Sequence, residues 1–226
     1  MKRLLIDQPG RFGDILICLP IAKWYSKDWL VDWLCPERFH SIFRNIEYCA
    51  PVGEKQEVYD KVVDLSFGIK MGTKVESWWE STRDYLFSFV EGKYIQAKVP
   101  LEERWNLVWN RNTERENRLF DVVTNLCGTF DYKVVHDNSE GRFKADIRVD
   151  KGVLFEPIND FNVFDWYKVL LHAKEIHCID SVLCNFIEVV SEFRIIPKVY
   201  YDNKADPQWN KTIIRNNWIV KNENSD

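Results

Sequence analysis

Two junctions between an apolar strand and a helix, one near each end of the chain, constrain the fold more than any other feature of this sequence. The first runs through residues 4–16 and places Gly13 and Asp14 at its turn. The second runs through residues 176–186 and changes character at Asp180 and Ser181. Strands that lead directly into helices build parallel sheets, whose ligands bind beyond the carboxyl ends of the strands. The junctions therefore predict a ligand cleft lined from both ends of the sequence.

Alternation of strand and helix patterns on both sides of the junctions extends this prediction to the whole chain. Apolar runs predict strands at residues 3–7, 29–35 and 58–65 in the first half, and at 131–136, 152–156, 175–180 and 196–200 in the second. Helical spacing predicts helices at residues 14–25, 75–90, 164–174 and 182–190, with a further helix beginning near residue 37. Such alternation is typical of doubly wound parallel sheets. We predict an α/β protein of two small Rossmann-like lobes with a cleft between them.

The middle of the chain separates these two series. Residues 102–126 are charged and periodic enough for one or two helices that end at Gly128. We therefore predict an amino-terminal lobe over residues 1–100, a helical connection over 101–128 and a carboxyl-terminal lobe over 129–226.

The net charge and the short apolar run at the amino terminus argue against nucleic-acid binding and against a membrane span. The formal net charge is -4 over 226 residues, whereas proteins that bind nucleic acids depend on clustered Lys and Arg. The first apolar run has only five residues, too few for a signal-peptide core or a membrane span. We expect a cytoplasmic protein that does not bind nucleic acid and whose membrane contact, if any, is peripheral.

Cysteine and histidine spacing argues against a metal centre. The chain has six Cys and four His, and they do not fall at zinc-ligand spacing. Most of the cysteines lie in apolar runs, as buried free thiols do in a reducing compartment. The ten Trp leave two interpretations open, because exposed aromatic faces bind sugars and buried ones simply fill a core.

The two junctions offer groups that suit a diphosphate and a proton transfer. Helix amino termini present unpaired N–H groups and partial positive charge, so Ser181 either caps its helix, contacts a phosphate, or does both. The loop at residues 136–142 carries Arg142, which is either a countercharge for a diphosphate or a solvated turn residue. Asp14 is either a helix-cap carboxylate or a general base.

The segment over residues 9–20 resembles the amino-terminal signature of the family 9 glycosyltransferases, the ADP-heptose:lipopolysaccharide heptosyltransferase type. That signature is an Arg-x-Gly-Asp turn followed by an apolar helix and a proline, and Arg11, Gly13, Asp14 and Pro20 match it. Residues 164–181 are similar to the helix and the strand ending in Asp-Ser at the family's donor site. Members of the family have the GT-B fold, which consists of two Rossmann-like lobes.

The resemblance implies a role for each candidate residue. Asp14 would be the base that activates an acceptor hydroxyl, with Arg11 and Gly13 on the acceptor side. The donor side would hold a nucleoside diphosphate sugar, with the diphosphate bordered by His136, Ser139, Arg142, Asp180 and Ser181. No metal cofactor is expected, because the helix dipole and cationic side chains stabilise the leaving group in such enzymes.

These observations predict an enzyme that moves a sugar from a nucleoside diphosphate sugar to a hydroxyl of a glycan or glycolipid, in polysaccharide biosynthesis. One candidate base without a second carboxylate indicates direct displacement with inversion at the anomeric carbon. One alternative is a fucosyltransferase-like GT-B enzyme whose 136–142 loop holds a guanosine diphosphate sugar. Another is a non-catalytic module that binds nucleotide or sugar, because Val182 stands where the family usually has Gly after Asp-Ser.

Overall fold

The chain forms two parallel β-sheets, one in each of two structural units. The computed structural model describes residues 1–55, 58–66, 89–138, 143–156, 161–202 and 214–222. Among these residues, the first unit ends at Asn110 and the second begins at Arg111. The division falls inside the predicted 101–128 connection, so its 3-10 helix, Leu101–Trp105, belongs to the first unit and its α-helix, Thr113–Cys127, to the second. The predicted α/β class with two Rossmann-like parallel sheets is confirmed.

The first sheet has the strand order β3-β2-β1-β4, with all neighbours parallel. Its strands are β1 (Lys2–Asp7), β2 (Trp29–Leu34), β3 (Ala50–Val52) and β4 (Lys61–Asp64). Its helices are α1 (Phe12–Tyr25), α2 (Phe89–Ala97) and the 3-10 helices Glu37–Asn45 and Leu101–Trp105. The strands predicted at 3–7, 29–35 and 58–65 and the helix predicted at 14–25 are confirmed with adjusted ends.

Two elements of the first unit differ from the sequence-based expectation. The helix expected near residue 37 is a 3-10 helix, Glu37–Asn45. Strand β3 was not predicted, because three residues are too few to display a period of two. Most of the helix predicted at 75–90 lies outside the described residues.

Burial explains why the first unit forms this sheet. Leu4, Leu5 and Ile6 of the central strand β1 are completely buried, as expected for a strand covered on both faces. All residues from Ile15 to Ala22 in α1 are buried as well. A helix that is apolar on every side is stable only inside a core, which fixes α1 against the sheet.

The second sheet has the order β6-β5-β7-β8-β9, again with all neighbours parallel. Its strands are β5 (Lys133–His136), β6 (Gly152–Leu154), β7 (Glu175–Cys178), β8 (Lys198–Asp202) and β9 (Ile219–Asn222). Its helices are α3 (Thr113–Cys127), α4 (Tyr167–Leu171), α5 (Val182–Val189) and the 3-10 helices Val163–Trp166 and Ser191–Ile195.

Most predicted elements of the second unit are confirmed, and most are shorter than expected. The helix predicted at 164–174 is instead a 3-10 turn that continues into α4 and ends at Leu171. Helix α3 ends at Cys127 and is capped by Gly128, close to the predicted end, and Gly128 adopts the left-handed conformation with φ of 63°. None of the helices within the described ranges is long and apolar enough to cross a membrane.

Candidate functional site

The second sheet has a topological switch point between β5 and β7. The chain passes from β5 to β6 on one side and later places β7 on the other side of β5. The connections therefore leave the carboxyl ends of β5 and β7 in opposite directions, which opens a crevice at that edge. His136 ends β5 and is paired in register with Cys178, which ends β7. The candidate donor residues thus lie where open parallel sheets bind ligands.

A hydrogen bond between His136 and Ser181 spans this crevice. The distance from His136 Nδ1 to Ser181 Oγ is 2.8 Å. Ser181 is also the N-cap of α5, where its Oγ accepts a hydrogen bond from the Cys184 N–H at 3.4 Å. The side chain of Asn185 donates to the Ser181 carbonyl at 2.9 Å. The capping interpretation of Ser181 is therefore correct, and the hydroxyl has a second partner on the neighbouring strand.

Burial keeps the His136 imidazole neutral at neutral pH. It lowers the pKa of His136 to about 4, and a hydrogen bond to the Asn138 backbone and the charge of Asp137 oppose this shift only in part. A neutral ring has one N–H donor and one acceptor nitrogen, and the tautomer decides which of them faces Ser181 Oγ. The crevice therefore holds an uncharged imidazole beside the start of α5.

Aromatic rings form one wall beside His136. The ring centroids of His136 and Phe155 are 4.9 Å apart, and Phe155 lies 4.9 Å from Trp166. Phe155 follows β6 and is held to β5 by its N–H, which donates to the Val135 carbonyl at 2.7 Å. Because Phe155 is partly exposed, it offers a flat apolar surface next to the polar pair.

Of the remaining donor-side candidates, the structure describes Asp180 but not Ser139 and Arg142. Asp180 lies at the predicted turn between β7 and α5 and is partly buried. Its carboxylate adds to the effect of burial in raising the pKa of Tyr200. Ser139 and Arg142 lie outside the described residues, so their predicted role at the diphosphate stays a prediction.

The acceptor-side candidates lie together at the start of α1, which follows the central strand of the first sheet. The order of that sheet places its switch point between β1 and β4. Arg11 is exposed and precedes the helix, and Gly13 and Asp14 are in its first turn. The Arg11 N–H donates to Asp14 Oδ2 at 3.3 Å. Asp14 therefore caps α1, and its predicted role as a base stays a prediction.

A buried lysine at the first switch point was not found by sequence reasoning. Lys93 is completely buried, and its Nζ donates to the Leu65 carbonyl, just after β4, at 2.6 Å. The Gln8 amide, just after β1, satisfies both its groups when its oxygen accepts from Lys93 Nζ at 2.7 Å and its nitrogen donates to the Leu65 carbonyl. Burial lowers the pKa of Lys93, and the nearby carboxylates of Asp14 and Asp64 oppose the shift. One sequence signal was available, because Lys93 stands three or four residues from the apolar residues Phe89, Val90 and Ala97, which is the spacing of one helix face.

The described residues include no group of three or more His, Cys, Asp or Glu side chains that could hold a metal ion. That the reaction needs no metal ion remains a prediction.

Comparison with known proteins finds similarity of fold. No protein-family profile and no curated protein sequence matches the chain. Among solved structures, a family 9 glycosyltransferase from Veillonella parvula DSM 2008 superposes with a TM-score of 0.60 at 11% identity, covering 98% of this chain and 86% of that one. The E. coli heptosyltransferase WaaC, solved with ADP, gives a TM-score of 0.52 at 15% identity, with coverage of 97% and 90%. The resemblance to family 9 glycosyltransferases is therefore confirmed at the level of fold.

Proposed function

We propose that this protein is a glycosyltransferase that takes a nucleoside diphosphate sugar at the carboxyl edge of its second sheet. The observation that carries the proposal is the His136–Ser181 hydrogen bond at the switch point, at the start of α5. Support comes from the fold shared with a family 9 glycosyltransferase and with WaaC, whose structure contains ADP. The sugar passes to a hydroxyl of a glycan or glycolipid.

The start of α5 supplies the proposed binding groups for the diphosphate. The N–H groups of Val182 and Leu183 lie in the first turn, where a helix has no internal acceptors for them. With the helix dipole they attract an anion without a metal ion. With Nδ1 of His136 protonated and donating to Ser181 Oγ, the Ser181 hydroxyl is proposed to donate to a phosphate oxygen, and Arg142 is proposed as the countercharge for the leaving diphosphate. This part of the proposal rests on backbone groups rather than on a basic surface.

The start of α1 supplies the proposed base. The helix cap uses Oδ2 of Asp14, and Oδ1 is the oxygen proposed to take the proton of the acceptor hydroxyl. The hydroxyl oxygen attacks the anomeric carbon as the bond to the diphosphate breaks, and the configuration inverts in this single displacement. Arg11 and Gly13 are proposed to border the acceptor.

Replacing Asp14 with Asn tests the catalytic assignment. The amide retains an oxygen for the Arg11 N–H, so the cap survives while the base is lost. We expect turnover to fall at least about 100-fold, with the dissociation constant of the nucleoside diphosphate unchanged. Glu114→Gln is the matched control, because Glu114 is an exposed carboxylate in the first turn of α3. Full turnover in Asp14→Asn would contradict the role of Asp14.

Replacing Ser181 with Ala tests the donor site by calorimetric titration with ADP, GDP and UDP. Loss of one hydrogen bond to a charged phosphate is expected to weaken binding about 10-fold. Asn112→Ala is the matched control, because Asn112 also caps a helix in the second unit and accepts from the Arg115 N–H at 3.1 Å. Both variants lose a cap, so only a binding defect confined to Ser181→Ala supports the proposal. Absence of binding to all three nucleotides would end it.

A second candidate, a non-catalytic binding module, is favoured by Val182. A valine side chain in the first turn of α5 narrows the approach to the helix start, where the resemblance leads one to expect glycine. Nucleotide binding without transfer or donor hydrolysis identifies the module. Binding of GDP in preference to ADP and UDP instead identifies the fucosyltransferase-like alternative.

A further inference from the structure

Lysine ammonium groups lie over aromatic rings along the amino edge of the first sheet. Lys61 Nζ is 4.3 Å from the centroid of the Tyr25 ring and 5.9 Å from that of Trp29. Lys2 Nζ is 6.0 Å from the Trp29 centroid, and Lys27 Nζ is 4.2 Å from the ring of Trp24. We call the residues Lys2, Trp24, Lys27, Trp29 and Lys61 the amino-edge surface.

The fold brings these residues together from separate parts of the first unit. Lys2, Trp29 and Lys61 are the first residues of β1, β2 and β4, and the three strands are adjacent and parallel. Trp24 is in the last turn of α1, and Lys27 is in the turn that joins α1 to β2. A parallel sheet collects all its strand beginnings at one edge, so the surface follows from the topology.

Exposed aliphatic side chains accompany the lysines. Leu30, next to Trp29, is 52% exposed, and Ile95 in the last turn of α2 is 54% exposed. The Tyr25 hydroxyl donates to the carbonyl of Ala97 at 2.6 Å, which fixes the end of α2 beside the amino-edge surface. Lys98, the next residue, is exposed as well. The edge therefore combines positive charge, partly exposed indole rings and aliphatic groups.

The acidic side chains of the described part of this edge leave the lysines in excess. Asp32 forms an ion pair with Arg3, and Asp60 accepts a hydrogen bond from the Arg3 N–H at 2.8 Å. Asp28 is an exposed acid in the same turn as Lys27. A local excess of lysines is notable in a chain whose formal net charge is -4, because overall composition does not produce it.

We propose that the amino-edge surface docks on the anionic headgroups of a lipid bilayer. Lysines near such a surface are attracted by its negative potential, and indole rings lie at the level of the headgroups with their polar edge hydrated. Exposed leucine and isoleucine side chains add apolar contact at the acyl boundary. The combination favours a bilayer over nucleic acid, since phosphates on a duplex offer no apolar phase for these aliphatic groups.

Docking at this edge leaves the candidate acceptor residues accessible. The six residues of β1 span about 20 Å from the amino-edge surface to the turn that carries Asp14. A bilayer at the amino edge therefore does not cover the carboxyl edge of the same sheet. The inference does not depend on the proposed function, because vesicle binding is measured without any sugar or nucleotide.

Co-sedimentation of the full chain with vesicles tests the proposal. We expect binding to vesicles of phosphatidylcholine with 30% phosphatidylglycerol and much weaker binding to pure phosphatidylcholine. High salt is expected to weaken the binding, because it screens the lysines. Equal binding to both vesicle types would overturn the proposal, as would tight binding to duplex DNA without binding to vesicles.

Charge reversal of two exposed lysines provides the decisive comparison. Lys2→Glu with Lys27→Glu is expected to weaken vesicle binding at least about 25-fold, since each lysine near the surface contributes about 5-fold. The control pair, Lys55→Glu with Lys144→Glu, changes the net charge equally at exposed positions outside the amino-edge surface. Unchanged thermal unfolding curves show that both pairs are folded. Equal losses in the two pairs would overturn the proposal, because net charge alone would then explain binding.

Discussion

Acid should destabilise this protein through His136, because the folded chain resists protonation of that ring. The pKa of His136 is about 4 in the folded chain against the ordinary value of 6.5. Between these two values the unfolded chain binds a proton that the folded chain does not. The free energy of unfolding is therefore unaffected by His136 protonation above pH 6.5, and it decreases as the pH falls from 6.5 to about 4. The gap corresponds to about 3 kcal/mol, a large part of the stability of a small unit.

The variant His136→Asn isolates this contribution. Asparagine places its amide near the position of Nδ1, so Ser181 Oγ keeps a hydrogen-bond partner while the titrating ring is removed. The variant is expected to be less stable at neutral pH, because it loses the contact with Phe155. Its stability should nevertheless fall less steeply with acid than that of the wild type. A variant is required because burial also lowers the pKa of His177. In the wild type, both rings therefore contribute to the dependence of the free energy of unfolding on pH.

Urea unfolding at several pH values between 4.5 and 7.5, followed by tryptophan fluorescence, measures the two slopes. A parallel NMR titration of the histidine ring protons reports the pKa of His136 directly. The exposed His172 provides a matched His→Asn control on the surface of the same unit. Identical slopes for wild type and His136→Asn would refute the reasoning, and so would a ring titration near pH 6.5.

Two further variants test how the second unit is held together. Gly128→Ala should destabilise the chain by about 1 kcal/mol, because alanine is strained at φ of 63°; an unchanged urea midpoint would contradict this. Asp165→Asn should cost about 3 kcal/mol, because the fully buried carboxylate accepts hydrogen bonds from two nitrogens of the Arg115 guanidinium, Nη2 at 3.0 Å and Nε at 3.1 Å. Thermal unfolding of Asp165→Asn beside the exposed control Asp146→Asn checks the second value, and equal midpoints would show that the pair is unimportant.

The fold could be predicted mainly because of the central strands of its two parallel sheets. Such strands are buried on both faces and appear in the sequence as short continuous apolar runs, as in Leu4, Leu5 and Ile6. Strand β3 could not be predicted, because its three residues include Pro51 and are exposed or only partly buried. The 3-10 character of Glu37–Asn45 also escaped prediction, since apolar spacing does not separate a helix of three residues per turn from one of 3.6 over so short a segment.

The sequence located the candidate site but not its contacts. Ser181 was identified at a strand-to-helix junction, and the cap that the junction predicted is present. Its bond to His136 joins positions 45 residues apart and depends on β5 and β7 being neighbours. The order of strands in a sheet depends on how the connections cross it. Local sequence patterns do not encode these crossings. Lys93 escaped because the helix predicted at 75–90 stops short of it, whereas the structure continues a helix to Ala97.

The proposed function assigns different steps to the two units, and a double variant tests that division. Ser181 belongs to the second unit and is proposed to hold the donor, whereas Asp14 belongs to the first and is proposed to move the proton. Ser181→Ala should therefore raise the Michaelis constant for the donor, and Asp14→Asn should lower turnover at saturating donor. If the two groups act on separate steps, the loss in kcat/KM of the double variant is the product of the single losses. A double variant no worse than Asp14→Asn alone would mean that both side chains serve one step, which contradicts the assignment.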